Sequence, residues 1–177
     1  MMLFIALFAL FFPMLALGDG ISFSRTITKI ANDSALNLTF TSGASCKTTD
    51  AYGSNDCQFK WGDNVTGLVS GKLGHDLNVG SKFTVDLKVD KLIKWSFSCA
   101  ACGANCTTTI PVIDEKVTFA LPDCPIKAIE LTEQLFNASL PLDSPTKGVK
   151  VTATGPITIF DALGATVLAI SLDLTVQ

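Results

Sequence analysis

Apolar and polar residues alternate strictly through Phe83-Thr84-Val85-Asp86-Leu87-Lys88-Val89-Asp90, the two-residue period of a strand with one buried face. Ile93-Lys94-Trp95-Ser96-Phe97-Ser98-Cys99 repeats the pattern, so both runs send aromatic or branched side chains to one side. Further strand-like runs cover Ala128 to Leu140, Val149 to Phe160 and Thr166 to Val176. In the last of these, Leu168, Ile170, Leu172, Leu174 and Val176 alternate with Ala169, Ser171, Asp173 and Thr175. Turn signals stand at Leu121-Pro122-Asp123-Cys124-Pro125-Ile126, Leu142-Asp143-Ser144-Pro145 and Asp161-Ala162-Leu163-Gly164, and glycines are spaced through polar residues from Gly62 to Gly80. Short strands at this spacing predict an all-β sandwich or barrel. No internal repeat, low-complexity linker or shift in composition divides the chain.

The pattern changes at the N-terminus. Met1 to Leu17 has no charged side chain, centres on Leu3 to Phe12, and is followed by Gly18. This predicts a signal peptide over residues 1–18 and a mature domain over 19–177. An uncleaved anchor is the alternative, but the run is short of the roughly 20 apolar residues a span needs. Asn-x-Ser/Thr sequons at Asn32, Asn37, Asn64, Asn105 and Asn137 agree with passage through the secretory pathway. So does the even set of cysteines, Cys46, Cys57, Cys99, Cys102, Cys106 and Cys124, for which an oxidising compartment predicts three disulfides. Zinc is the rival reading of Cys99-x-x-Cys102 with Cys106, but no second knuckle or nearby histidine completes a ligand set. A thioredoxin-like role would need a βαβ context that is missing here. No metal or other cofactor is expected.

Charge narrows the partners. The net charge is −3 and no Lys/Arg block occurs, which argues against a nucleic-acid partner. Lys82, Lys88, Lys91 and Lys94 form the nearest thing to a basic group, and Asp86 and Asp90 alternate with them. They read first as a solvated strand face and second as a surface for transient contact with anionic membrane headgroups. No protein partner is legible.

Enzymatic chemistry finds little footing. The only histidine is His75, in Gly74-His75-Asp76, and no Gly-x-Ser-x-Gly elbow accompanies it. A turn residue is the plainer reading. Asp114-Glu115 lies between predicted strands, and adjacency in sequence does not supply the convergent geometry of paired carboxylates. The expectation is a protein that is not an enzyme.

The inward rows offer a binding surface instead. Phe83, Val85, Leu87, Trp95, Phe97, Phe119, Phe136, Ile157, Ile159, Leu168, Ile170 and Leu172 would line the space between two sheets. Every sandwich core has such rows, so pattern alone favours packing over a cavity.

Trp95-x-Phe97-x-Cys99, Cys106, Asp123-Cys124-Pro125-Ile126-Lys127, Ser139-Leu140-Pro141-Leu142 and the stretch Gly164 to Leu174, in that order, resemble the ML lipid-recognition family from Ser81 to the C-terminus. The resemblance implies a two-sheet immunoglobulin-like sandwich, stapled by disulfides, with an apolar cavity between splayed sheets. It also implies a secreted or lysosomal lipid-binding or lipid-transfer protein, its ligand a phospholipid, glycolipid, fatty acid or sterol. Family members usually bond a cysteine of the final strand to one near the N-terminus; here Ala169 takes that position, so Cys46 and Cys57 are expected to pair with each other. By the resemblance Cys99 would join Cys102 and Cys106 would join Cys124, one of three connectivities open to those four residues. The competing expectations are an extracellular recognition or structural sandwich with a closed core, and, last, a secreted enzyme.

Overall fold

The computed structural model describes residues 20–110, 115–140, 142 and 150–176. The expected leader over residues 1–18, Asp114, most of the expected Leu142-Asp143-Ser144-Pro145 turn and the side chain of Phe119 lie outside them. The chain is all-β. Among the described residues twelve strands run in order: β1 (Ile21–Ile30), β2 (Ala35–Ser42), β3 (Ser45–Asp50), β4 (Gly53–Phe59), β5 (Asn64–Leu73), β6 (Lys82–Val89), β7 (Ile93–Ala100), β8 (Cys106–Ile110), β9 (Glu115–Phe119), β10 (Ile129–Ser139), β11 (Val151–Phe160) and β12 (Thr166–Val176).

Hydrogen bonding draws ten of them into one sheet, ordered β10-β5-β2-β4-β1-β12-β11-β6-β7 with β3 on β4, while β8 and β9 form a separate hairpin. The sheet has two halves. In one, β12 pairs with β1 and β11, and β6 with β11 and β7, all antiparallel. In the other, β5 lies between β2 and β10. The join between them is narrow: Ile21, Phe23 and the residue between pair with Phe59, Cys57 and the residue between, and Leu38 alone meets Gly53 in parallel. Buried residues from both halves, Phe59, Val65 and Leu73 on one side and Phe83, Ile157 and Leu172 on the other, belong to one apolar core.

Two glycines explain why the first half hides from a search for alternation. A Cβ at Gly67 would stand 2.5 Å from the Phe136 ring and 2.6 Å from the Thr39 carbonyl oxygen, so the inner face of β5 admits no side chain there. Gly53 has φ +97 and a Cβ on it would meet the Leu38 carbonyl oxygen at 2.0 Å, which makes glycine the residue that permits the β2–β4 join. The glycine-bearing segment Gly62 to Gly80 therefore contains a full strand, β5, rather than turns alone.

All six cysteines are paired. Cys46 and Cys57 join across the β3–β4 register, as expected. The other two bonds correct the expectation: Cys99 pairs with Cys106 and Cys102 with Cys124. The reason lies in the path after β7. Residues 101–105 loop and return the chain beside β7, where the Trp95 indole N–H donates to the Thr108 hydroxyl at 3.4 Å. Cys106 thereby comes to 5.7 Å from Cys99, Cα to Cα. On the way, the Ala101 N–H bonds the Ser81 carbonyl and Gly103 N–H bonds the Pro122 carbonyl. Buried Cys102 is thus presented to the turn that carries Cys124, 5.1 Å away. No disulfide reaches β12, which is held by backbone pairing on both sides.

Candidate functional site

The register assembles most of the predicted interior into a grid. One row crosses five strands as Ile27, Ile170, Ile157, Val85 and Phe97, each opposite the next. The next row holds Ile30, Leu168, Ile159, Phe83 and Cys99. On the other side lie Arg25 opposite Leu172, and Leu87 opposite Trp95. Because paired residues point to the same face, these rows form one continuous, almost wholly apolar surface.

Exposure divides it. Phe83, Val85, Leu87, Trp95, Ile157, Ile159, Leu168 and Leu172 are buried. Phe97 and Ile170 touch the core but are only half-buried, and so is Ile27 beside Ile170. Phe83 and Phe97 meet edge to face at 6.1 Å between centroids, and Trp95 lies 5.3 Å from Phe97. Phe136 falls in the other half of the sheet, where its ring packs edge-on against Phe40, which in turn packs against Phe59. β9 contains Phe119 and pairs with β8 outside the main sheet.

One member of the surface carries charge. Arg25 occupies an inward position of β1 and is 5% exposed. Its guanidinium donates to the Asp50 carboxylate at 3.0 Å, to the Tyr52 carbonyl at 2.6 Å and to the Ser54 carbonyl at 3.3 Å. The Asn55 side chain accepts from the Arg25 backbone N–H and donates to its carbonyl, both at 2.8 Å, which extends the short β1–β4 pairing through a side chain. Arg25 Nε has no hydrogen-bond partner among the described residues. Sequence reasoning passed over Arg25. The signal was a charge inside the alternation Ile21-x-Phe23-x-Arg25-x-Ile27, where an inward charge requires a partner.

The remaining candidates are dispersed. Lys88 and Lys94 face each other on the outer side of β6 and β7, Lys94 pairs with Asp86 at 3.7 Å, and Lys82 lies over the Phe160 ring. Lys91 belongs to the turn at the far end of β6. His75 Nδ1 stands 3.9 Å from Asp33, and no hydroxyl is hydrogen-bonded to His75 among the described residues. Neighbouring Asp76 accepts from Lys127 Nζ at 2.8 Å and from the Ala128 N–H at 2.7 Å. These bonds, led by the one to Lys127, hold its carboxyl below the ordinary range. Glu115 opens β9 rather than lying between strands. No group of three or more His, Cys, Asp or Glu side chains suited to a metal occurs among the described residues.

The five sequons fall at exposed or half-exposed positions, Asn32 in the β1–β2 turn, Asn105 before β8, and Asn37, Asn64 and Asn137 on strands. Among the described residues no helix is long and apolar enough to cross a membrane. Three disulfides fit an oxidising compartment. Compared with known protein families and with curated proteins, the chain matches no family model and no curated sequence.

Proposed function

We propose that this chain is a secreted or lysosomal lipid-binding protein that holds an aliphatic lipid against the inner apolar grid, between the two halves of its folded sheet. The observation that carries the reading is the uneven closure of one row. Ile157 and Val85 are buried, whereas Ile27 and Ile170 at one end of the row and Phe97 at the other pack against the core yet stay half-exposed. Large apolar side chains in that condition gain from a further apolar surface, and an acyl chain or sterol supplies one. The resemblance to the ML family from Ser81 onward supports the same reading, and the family's missing last-strand cysteine is offset by the backbone pairing of β12 on both edges. Transient contact with an anionic membrane through the outer lysines belongs to the proposal as the step of uptake or delivery.

Affinity on this reading comes from chain burial. At about 0.8 kcal/mol per methylene, a 16-carbon chain contributes on the order of 10 kcal/mol before the costs of association and ordering. Phe97→Asp and Ile170→Asp are expected to abolish binding, and Lys88→Ala to leave equilibrium binding unchanged while slowing uptake from anionic vesicles.

The near-complete burial of Phe83, Val85 and Leu87, each 1% exposed, favours a second reading, a recognition or structural β-protein with a closed core. Mass spectrometry of an organic extract of the purified protein separates the two, together with transfer of fluorescent phospholipid, fatty acid and sterol to delipidated protein. A bound or transferred lipid supports the carrier. No lipid in the extract and no transfer to well-folded protein leaves the closed core.

A further inference from the structure

Three of the five sequons share one surface, although they are far apart in the chain. On β5, Val65, Gly67 and Val69 face the core, so Asn64, Thr66, Leu68 and Ser70 face outward. Register then places Ser139 opposite Asn64, Asn137 opposite Thr66 and Leu135 opposite Leu68 on one side. On the other side Thr39 lies opposite Leu68 and Asn37 opposite Ser70. The outer face of β10, β5 and β2 is thus a second grid, with Asn64, Asn137 and Asn37 on three of its four rows. The fourth row, Leu135 with Leu68 and Thr39, lies between those of Asn137 and Asn37, about 7 Å from each by strand rise.

That row is where the surface needs cover. Leu135 is 71% exposed, and it stands on β10, which ends the hydrogen-bonded order of the sheet among the described residues. The unpaired backbone N–H and C=O groups of an edge strand are a template for pairing with a second chain, and an exposed apolar side chain beside them adds to the hazard. We propose that N-glycans on Asn137, Asn64 and Asn37 cover the outer face of β10, β5 and β2 and keep the Leu135 row and the β10 edge from self-association.

The local chemistry is compatible with modification at these positions. Thr39 and Ser139 donate to the Oδ1 atoms of Asn37 and Asn64, at 3.1 and 2.7 Å, and Oδ1 is the amide atom that a glycan linkage leaves in place. Ser139 lies 75 residues beyond Asn64, so the asparagine emerges during synthesis well before the strand that later pairs with it. A glycan is bulky and solubilising, and it leaves the outer face of β6, β7, β11 and β12, which has no sequon, as the open face of the sheet. The proposal requires passage through the secretory pathway and is independent of lipid binding.

The test uses the full chain, with its own leader, expressed in a eukaryotic secretory host. Glycopeptide mapping is expected to find Asn137, and at least one of Asn64 and Asn37, occupied in more than half of the molecules. Light scattering then compares Asn37→Gln/Asn64→Gln/Asn137→Gln with Asn32→Gln/Asn105→Gln at equal concentration. The triple variant is expected to show at least a five-fold rise in dimer and larger species, the double variant none, and Leu135→Thr added to the triple variant is expected to restore the monomer. If the triple variant is not secreted, endoglycosidase trimming of the folded wild type and of Leu135→Thr makes the same comparison. The proposal is overturned if the three sites are unoccupied, or if the variant or trimmed protein stays as monomeric as the untreated wild type.

Discussion

Replacing Arg25 with Met removes the only charge from the inner rows of β1 and, with it, three hydrogen-bond destinations at the join between the two halves of the sheet. The Tyr52 and Ser54 carbonyls lose a charged donor, and Ser54 is buried. At about 1.5 kcal/mol for each such bond, the loss is about 3 kcal/mol. The Asp50 side chain is 37% exposed, so its share of the ion pair is screened and adds about 0.5 kcal/mol. Against this, the buried Nε that lacks a partner no longer has to be desolvated, a relief of about 1 kcal/mol. The net expectation is a loss of about 2–3 kcal/mol, or a melting temperature lowered by about 5–10 °C for a chain of this size. Urea unfolding at pH 7 measures it, with Asp50→Asn and the double variant closing the cycle. Asp50→Asn alone should cost less than half as much, because a neutral oxygen still accepts from the guanidinium and from the Tyr52 N–H, which donates to Asp50 Oδ1 at 2.7 Å. Arg25→Lys should recover little, since a single ammonium cannot fork to a carboxylate and two carbonyls. The gap between wild type and Arg25→Met should persist in 1 M salt, because most of it is short-range hydrogen bonding. A loss below about 0.5 kcal/mol, or one that salt abolishes, would refute the view that Arg25 clamps the join.

Asp76 gives a pH signature. Its folded pKa lies below the ordinary value of 3.8, so its contribution is full above that value and is lost as pH falls through the folded one. Asp76→Asn should therefore lower the melting temperature equally at pH 7 and pH 5, with the gap closing only below about pH 4; a gap that closes between pH 7 and 5 contradicts the assignment. Among the disulfides, Cys102–Cys124 spans 22 residues and Cys99–Cys106 spans 7. Loop-closure entropy then predicts losses of about 3 and about 2 kcal/mol for the paired alanine variants, measured by denaturant unfolding. Non-reducing peptide mapping that found Cys99 bonded to Cys102 would refute the connectivity itself.

The sequence was most legible where the sheet follows the simplest rule. β6, β7 and β12 each have one buried face, so their alternation gave strand bounds within a residue or two of those observed. The first half of the chain breaks that rule for identifiable reasons. In β4 the buried positions include Gly53, Ser54 and Cys57, which do not read as apolar. In β5, Gly67 and Gly71 take inward places because neighbouring chain occupies the space a side chain would fill, and glycine in a sequence signals a turn before it signals a crowded strand. In β1 the alternation from Ile21 to Ile27 is interrupted by Arg25, whose partners on β3 and β4 were not legible without knowing that those strands pack there, and a register shift after Ile27 brings Ile30 rather than Lys29 opposite Leu168.

The candidate interior divides along the same line. Its members on β6, β7, β11 and β12 come together because each strand's parity was readable and the register then aligns the rows. Phe136 packs against the core, but its place is with Phe40 and Phe59, since strand parity says which way a side chain points and nothing about which sheet half it joins. The same limit explains the disulfides. Cys99-x-x-Cys102 suggests a local bond, but Cys99 ends an inner row opposite Phe83 while Cys102 lies beyond the strand in the loop. Whether the two can meet depends on the direction the chain takes after Ala100. That direction is set by contacts with Ser81 and Pro122, residues about 20 positions away on either side, and spacing between cysteines carries no information about it. Local periodicity thus identifies the surfaces of this protein, and contacts distant in sequence decide how those surfaces are joined.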